Sequence, residues 1–254
     1  MALDSKYILS FNPCEVLKPL SLQIYEEKLD LIWQEVMRLN ANLLYLEKLL
    51  DFPANLFISP EDNFFQLVNV AMTHDSILII TKLWIDKDGR KEGEGQRLNI
   101  HHFKEWVRQN LLAQYQPMFD CVLKEIRDDI GYLSSRTRDI KNLRNNFVAH
   151  LIFDDNQRFE RNTNVSFADL KSICQRINRI FQVLCFNVEH PVLPVTYLRD
   201  KQSDIEDYLD LIVRDSAFYK EPESPYWNLN KGVMPPESIN LLNKYRRKFG
   251  EAEV

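Results

Sequence analysis

Apolar residues recur at alternating steps of three and four positions over the first long segment of the chain. This spacing keeps one side of an α-helix apolar. The pattern predicts a helix that begins at an N-cap Ser21 and ends at Phe52-Pro53, because proline restricts the residue before it. Packing inside a bundle is the usual reason for a wide stripe, and a seam between two copies of the chain is the alternative. The stripe consists of Leu22, Tyr25, Leu29, Ile32, Val36, Leu39, Leu43, Leu46 and Leu50, widened by Leu31, Trp33, Leu44 and Leu49.

A second helix is predicted over residues 60–86, where the chain is apolar on nearly all sides. Ser59-Pro60 marks its start, because serine caps helices and proline is favoured at the first helical position. A helix that is apolar all round is expected at the centre of a fold. The polar interruption at His74-Asp75 has two interpretations: these residues line a site, or they satisfy neighbouring polar groups. Residues 87–98 are rich in glycine and charge, which favours a flexible connection over a phosphate-binding loop.

Four further helices are predicted before residue 190, three of which have a recognisable N-terminal signal. These three begin at residue types that favour helix N-termini, namely Asn99, Pro117, and Ser166 with Asp169 three positions later. The predicted elements are a helix over residues 100–115, a helix from Pro117 to a bend at Gly131 and Ser134-Ser135, a helix over residues 134–153, and a helix from Ser166 to about residue 189. Beyond His190-Pro191 the pattern predicts two shorter helices, over about residues 203–215 and 237–249.

Composition supports a helical fold. Glycine is scarce, at 6 of 254 residues, against a usual share of ~7%, and this disfavours the tight turns of a β-rich fold. We therefore predict an all-α protein in which residues 1–190 form an up-and-down helical bundle. Residues 191–254 are expected to form a helical extension packed on that bundle.

The charge balance limits the kind of nucleic-acid contact that is expected. The net charge is −5 and the pI is about 5.6, which is not typical of a general nucleic-acid binder. Any RNA contact must therefore come from a local patch, and residues 134–161 offer one. This segment is interpreted either as a phosphate-facing surface or as a solvated helix face of mixed charge. Its basic residues are Arg136, Arg138, Lys141, Arg144, Arg158 and Arg161, and its acidic residues are Asp139, Asp154, Asp155 and Glu160.

The cysteines and the apolar runs exclude several classes of protein. The four cysteines form no C-x-x-C pair, and three lie among apolar neighbours, so we expect core residues and no zinc site. Cys121 is among the residues expected on a core face. The segment from Met1 to Pro13 is too polar for a signal peptide. No apolar run approaches the roughly 18 residues of a membrane span, so a cytoplasmic protein without membrane contact is expected.

The strongest candidate chemistry lies near the end of the helix over residues 134–153. Arg144 and His150 are six positions apart, with Asn145 and Asn146 between them. Arginine holds phosphate through a planar fork of donors, and histidine transfers protons near neutral pH, so the set suits metal-free chemistry on a phosphodiester. The alternative is that these residues are solvated groups or caps. Six positions along a helix fall about 120° short of two full turns, so Arg144 and His150 do not share a face of one straight helix. If they form one site, the helix ends before His150, the Arg144 side chain reaches around the helix, or a second subunit completes the site.

Two stretches resemble a known family. Leu143–His150, with the sequence LRNNFVAH, resembles the signature of the HEPN superfamily, an arginine followed by a polar residue, a short gap and a histidine near a helix end. Leu83–Asp88, with the sequence LWIDKD, followed by a polar loop and Leu98-Asn99-Ile100, resembles the abortive-infection type U branch. The resemblance covers roughly residues 20–190.

The resemblance implies a fold, an activity and an alternative to that activity. HEPN proteins are helical bundles, commonly dimers, and many are metal-independent ribonucleases of toxin–antitoxin or phage-defence systems. In those proteins the arginine and the histidine act in cleavage at a site assembled across the dimer. Other members have lost the activity and act as antitoxins or as nucleotide-binding modules. The chain is accordingly expected to be an endoribonuclease or, as the alternative, an inactive module that binds nucleotides, RNA or a protein partner.

Roles follow for the individual residues if the protein is an enzyme. His150 would act as general base or acid, Arg144 would stabilise charge on the phosphoryl oxygens, and Asn145 would orient the phosphate or His150. Further substrate contacts are expected from Arg138, Lys141 and Asn146. No metal or cofactor is required. The expected partners are RNA, a second copy of the chain, and an antitoxin or other protein. The resemblance implies a 2′,3′-cyclic phosphate product.

Overall fold

The structure of the protein is a computed structural model. It describes residues 11–51, 64–85, 99–145, 165–186, 204–207, 209 and 247. Within these residues the regular elements are helical, and β-type pairing is limited to an isolated antiparallel bridge between Leu17 and Leu111. The predicted all-α fold is therefore confirmed.

Helix α1, Leu22–Asp51, is the long helix expected from the apolar stripe. The stripe is buried from Tyr25 to Leu46. Near the end of α1 the predicted spacing fails. Leu50, the last residue of the stripe, is 56% exposed, and the neighbouring Leu49 is buried instead. Leu31 is also 56% exposed and so does not widen the buried stripe. The pattern thus predicted the helix and most of its buried side, but not the exact width of that side.

The start of α1 differs from the prediction. Ser21 belongs to a 3-10 turn, Pro19–Ser21, that runs directly into the helix, so the predicted N-cap role was wrong. Its hydroxyl instead donates a hydrogen bond to Asn110 Oδ1 at 2.8 Å. The backbone carbonyl of Asn110 accepts from the Lys18 amide at 2.9 Å. Contacts distant in sequence therefore fix this helix end, where a local cap was expected.

Helix α2, Phe64–Ile80, continues into a π-helical turn, Thr81–Ile85. The expectation that this region is buried on all sides was wrong. Ile77, Ile79 and Ile80 are buried, but Leu67 is 66% exposed, and Val70 and Leu78 are also exposed. Apolar residues can be buried, but the elements that pack around a helix determine which of its apolar side chains are covered.

Helices α3, Ile100–Asn110, and α4, Gln116–Glu125, follow the predicted order. Asn99 caps α3 as predicted, because its Oδ1 accepts from the His102 amide at 2.9 Å. A 3-10 turn, Ala113–Tyr115, separates the two helices, so α3 ends earlier than predicted. Cys121 of α4 is exposed, so its predicted core position was wrong.

Helix α5, Arg127–Leu143, carries the start of the candidate motif. The predicted bend at Gly131 was wrong, because the chain leaves the helical path at Ile126, where φ is −93° and ψ is 11°. Ile126 is buried, and it continues the four-residue spacing from Val122, so the apolar pattern gives no sign of the break. Gly131 lies inside α5, where an added Cβ would meet no atom within 4 Å.

Helix α6, Phe167–Leu184, begins as the sequence predicts. The Ser166 side chain accepts from the Asp169 amide at 3.2 Å, and the Asp169 side chain accepts from the Ser166 amide at 2.9 Å. These reciprocal bonds form a capping box. The helix ends at Leu184, before the predicted residue 189, and Phe186 follows in the left-handed region at φ 51°.

The chain divides into two compact units. One comprises Met1–Leu43 and Met72–Pro194. In this unit α5 packs against α6, α4 and the π-helical turn, and α3 packs against α6. Its core contains Tyr25, whose hydroxyl donates to the Leu184 carbonyl at 2.8 Å and whose ring stacks on Phe103 at 5.6 Å.

The other unit comprises Leu44–Ala71 and Val195–Val254. Leu46, Leu49 and Leu209 are buried, and Lys48 Nζ lies 2.7 Å from Glu206 Oε1. The sequence-based division at residue 190, with an extension packed on the bundle, stays a prediction. None of the helices in the described segments has the length and apolar character needed to cross a membrane.

Candidate active site

The described part of the motif helix has a buried apolar side and an exposed polar side. Leu133, Ile140 and Leu143 are buried, and the polar residues Arg138, Lys141 and Asn142 are exposed. Burial of one apolar side fixes the rotation of the helix about its axis. The helix therefore presents Arg138 and Lys141 to solvent and leads directly into Arg144.

Arg144 still has a helical backbone, with φ −57° and ψ −50°. Its amide donates to the carbonyls of Ile140 and Lys141, and the helix widens to a π-type turn at residues 144–145. The position of Arg144 is therefore set by α5. A displacement of the end of α5 would move the Arg144 side chain with it.

Asn145 holds the guanidinium of Arg144. The Nε and Nη2 groups of Arg144 both donate to Oδ1 of Asn145, at 3.1 and 3.0 Å. Both residues are half-buried. One edge of the guanidinium is engaged in this way, which restricts its orientation. The edge formed by Nη1 and Nη2 is the second fork through which arginine recognises a phosphate or carboxylate.

Asn146 and His150 lie outside the described residues, and so do Arg158 and Arg161. The roles predicted for Asn146 and His150 stay predictions. The structure therefore brings together two of the three predicted catalytic residues, Arg144 and Asn145, and shows which atoms connect them.

Arg138 and Lys141, two of the predicted substrate-binding residues, lie on the exposed side of α5. Neither takes part in an ion pair with another described residue. Lys141 precedes Arg144 by three positions, so the two side chains are about 60° apart around the helix. This placement is compatible with a phosphate-facing surface that leads to Arg144, and substrate contact stays a prediction.

Arg136 belongs to the same basic segment but is engaged differently. Its Nη2 donates to Asp169 Oδ1 at 2.6 Å, and its Nη1 lies 3.4 Å from Asp139 Oδ2. Its guanidinium also lies over the Tyr132 ring, 5.8 Å from the centroid. The charge of Arg136 is therefore directed toward α6, whereas Arg138 two residues later faces solvent.

A second group of ion pairs joins the first half of α5 to α6. Asp129 Oδ1 accepts from Arg176 Nη1 at 2.6 Å and lies 3.0 Å from Arg179 Nη2. The Arg176 guanidinium lies 4.1 Å from the centroid of the Tyr132 ring. Asp129 was not singled out in the sequence analysis, and it is buried, at 7% exposed. Arg176 and Arg179, three positions apart on α6, are the feature of the sequence that could have indicated a carboxylate partner on a neighbouring helix.

The polar interruption of α2 has a structural role. Asp75 accepts from Asn42 Nδ2 at 2.7 Å and from Arg38 Nη2 at 3.0 Å. Nearby, Lys82 Nζ lies 3.3 Å from Glu35 Oε1. Asp75 thus joins α1 to α2, which favours the interpretation that this polar stretch satisfies neighbouring groups.

The buried cysteines are poor nucleophiles. Cys174 lies beside the side chains of Asn40 and Asn178, which exchange reciprocal hydrogen bonds at 2.9 Å. Burial raises the pKa of Cys174 to about 12, so its thiol is protonated at neutral pH. Cys174 and Cys185 are buried whereas Cys14 and Cys121 are exposed, so the expectation of three core cysteines was wrong. Among the described residues, no group of His, Cys, Asp and Glu side chains is placed to bind a metal ion.

Comparison with known proteins identifies the family. The family model HEPN_AbiU2, described as AbiU2, matches residues 22–209. This range includes the candidate residues Arg144, Asn145 and His150, and it extends beyond residue 190, where the sequence resemblance was expected to end. No curated protein and no solved structure matches the chain. The chain therefore belongs to the AbiU2 family, the abortive-infection U branch of the HEPN superfamily.

Proposed function

We propose that this protein is a metal-independent endoribonuclease of a phage-defence or toxin–antitoxin system. The observation that carries the proposal is the guanidinium of Arg144, hydrogen-bonded to Asn145 at the end of a helix whose outer side is basic. Membership of the AbiU2 family places a HEPN-type domain in abortive-infection systems, and this supports the proposal.

The proposed reaction is attack by an RNA 2′-hydroxyl on the adjacent phosphorus. The 2′-oxygen–phosphorus bond forms, the bond to the 5′-oxygen breaks, and the products are a 2′,3′-cyclic phosphate and a 5′-hydroxyl. His150 removes the 2′-proton or donates a proton to the leaving 5′-oxygen, a role worth about 10²–10⁴ in rate. Arg144 stabilises the negative charge that builds on the non-bridging oxygens. Asn145 keeps the Arg144 guanidinium in the orientation that this requires.

We further propose that two copies of the chain complete the site. Arg144 and His150 do not share a face of one straight helix, because six positions leave them about 120° short of two turns. A second copy related by two-fold symmetry would supply the missing group at each of two equivalent sites. Arg138, Lys141 and Asn146 would then contact the RNA backbone on either side of the cleaved bond.

The second candidate function is that of an inactive HEPN module that binds nucleotides, RNA or an antitoxin-like partner. The acidic net charge of −5 favours the form of this candidate that binds a protein partner, because general RNA-binding proteins are usually basic. In this case Arg144 would bind a phosphate or carboxylate without cleavage.

The test is incubation of total RNA with purified protein in EDTA, beside His150→Ala and Arg144→Ala. We expect cleavage by the wild-type protein and a loss of about 100-fold or more in each variant. A substrate with a 2′-deoxy sugar at the cleaved position should resist. Arg108→Ala is the matched control, because Arg108 forms a surface ion pair with Asp120 between α3 and α4. Absence of cleavage by the wild type, or equal cleavage by His150→Ala, would contradict the proposal and favour the inactive module.

A further inference from the structure

Arg136 makes the described ion pair between α5 and α6 that lies nearest in sequence to Arg144. It engages one carboxylate in each helix, Asp139 in α5 and Asp169 in α6. The Arg136 and Asp169 side chains are 29% and 21% exposed, so solvent screens this pair less than it screens a fully exposed one. Arg136 therefore connects the second half of α5 to the first turn of α6.

Asp169 uses its two carboxylate oxygens for different contacts. Oδ2 accepts from the Ser166 amide at 2.9 Å and from the Ser166 hydroxyl at 2.7 Å, and this begins α6. Oδ1 accepts from Arg136 at 2.6 Å, and this attaches the same turn to α5. The hydrogen bonds from Ser166, together with the charge of Arg136, hold the pKa of Asp169 below its usual range. Asp169 is therefore charged at neutral pH, as the contact with Arg136 requires.

The ion pairs show that α5 and α6 run antiparallel. Asp129, near the start of α5, contacts Arg176 in the second half of α6. Arg136, one heptad later in α5, contacts Asp169, one heptad earlier in α6. The middle of α5 therefore lies beside the first turn of α6, and the rest of α5, which leads to Arg144, extends beyond that contact.

We propose that Arg136 and Asp169 form a clamp that positions Arg144 for RNA cleavage, which makes Arg136 a positioning residue. This inference rests on the proposed ribonuclease function. Arg144 continues the helical path of α5, with its amide bonded to the carbonyls of Ile140 and Lys141. Release of the clamp would let the end of α5 move relative to α6. A displacement of about 1 Å at a reacting centre can cost roughly 100-fold in rate.

Arg138 provides an internal comparison. It lies on the same helix two positions later, but it is exposed and has no ion pair with a described residue. An arginine that binds the RNA backbone contributes to substrate affinity and to its dependence on salt. Loss of Arg138 should therefore raise KM and flatten the salt dependence, whereas loss of Arg136 should lower kcat.

The first measurement is the kinetics of RNA cleavage by Arg136→Ala, Asp169→Asn and the double variant. Asparagine keeps a side-chain oxygen for the capping box and removes the charge that Arg136 contacts. We expect each single change to lower kcat by about 10- to 100-fold, and the double variant to lose no more than the worse single variant. Arg136→Lys should keep part of the activity. A rise in KM alone for Arg136→Ala, as expected for Arg138→Ala, would overturn the proposal.

The second measurement, hydrogen exchange of backbone amides, does not depend on cleavage. Arg136→Ala should speed exchange at Arg144, Asp169 and Leu170, whose amides are hydrogen-bonded at the two helix ends. Arg108→Ala removes a comparable ion pair at Asp120 and should leave these amides unchanged. Unchanged exchange in Arg136→Ala would overturn the clamp. If the wild type cleaves no RNA, the proposed function fails, and exchange alone then decides whether the clamp exists.

Discussion

At the scale of single residues, the structure assigns Asn145 a more specific task than the sequence did. The sequence left open whether Asn145 orients the phosphate or His150. In the structure its Oδ1 accepts from both Nε and Nη2 of Arg144. A single acceptor that receives two donors restricts the orientation of the guanidinium, so in the proposed reaction Asn145 acts through Arg144.

A double-variant comparison of Asn145→Ala and Arg144→Lys would separate the two roles of Asn145. If Asn145 acts through Arg144, the double variant should cleave RNA no more than about threefold more slowly than Arg144→Lys alone. Lysine lacks the planar fork of donors that the Asn145 amide oxygen accepts from. Removal of the Asn145 side chain should therefore cost little further activity once Arg144 is lysine. Cleavage rates measured at saturating RNA give the comparison. If the rate loss of the double variant instead equals the product of the losses in the two single variants, Asn145 contacts the substrate or His150 directly.

The two arginines at positions 136 and 138 show why residue type alone does not give a role. Both belong to the same basic segment of the sequence, and both were candidates for a phosphate-facing surface. Arg136 contacts Asp169 and Asp139, whereas Arg138 is exposed. The difference comes from a 200° rotation about the helix axis between them, which turns Arg136 toward α6.

At the scale of elements, local chemistry made the caps predictable. Asn99 and Ser166 begin their helices as expected, because their side-chain oxygens accept from amides three residues ahead in the sequence. The break at Ile126 was not predictable, because Ile126 is buried and keeps the apolar spacing of the helix. Ser21 is not a cap because it belongs to the 3-10 turn that runs into α1, and its hydroxyl donates to Asn110, which is distant in sequence.

Ser166→Ala tests the contribution of the capping box to α6. We expect a loss of about 1 kcal/mol in the free energy of unfolding, the usual cost of removing a serine cap, measured by urea denaturation. The pH dependence of the free energy of unfolding also has a predicted direction. Because the pKa of Asp169 is lowered from 3.8 in the folded state, its contribution is present above pH 3.8 and is lost as pH falls through the folded pKa. A Ser166→Ala variant with unchanged stability at pH 7 would contradict this role of the cap.

At the scale of the whole molecule, the main question is whether one chain or two complete the site. The proposed arrangement across a dimer makes a specific prediction for mixtures of two inactive variants. When Arg144→Ala and His150→Ala chains are exchanged into mixed dimers, one of the two sites has an intact Arg144 and an intact His150 from opposite chains. Both variants must first be inactive alone.

We therefore expect mixing to restore about a quarter of the wild-type cleavage rate, since about half of the exchanged dimers are mixed and each holds one intact site. RNA cleavage measured after unfolding and refolding the two variants together provides the readout. Separate refolding of each variant is the control. No recovery on mixing, with dimers confirmed by sedimentation, would place Arg144 and His150 of one site on the same chain.

The sequence by itself determined the helical class, most helix positions and the candidate motif. These depend on spacing along the chain: apolar residues at helical intervals, caps a few residues from their acceptors, and Arg144 next to Asn145. Family membership was also visible in the sequence, because the signature residues are close together.

Only the tertiary structure decided which polar groups meet across helices. Asp129 contacts Arg176, and Arg136 contacts Asp169, although these pairs are separated by 47 and 33 positions. The spacing within one helix cannot show which residues of another helix lie opposite. Packing of α5 on α6 sets that register, and with it the difference between Arg138, which faces solvent, and Arg136, which contacts the neighbouring helix.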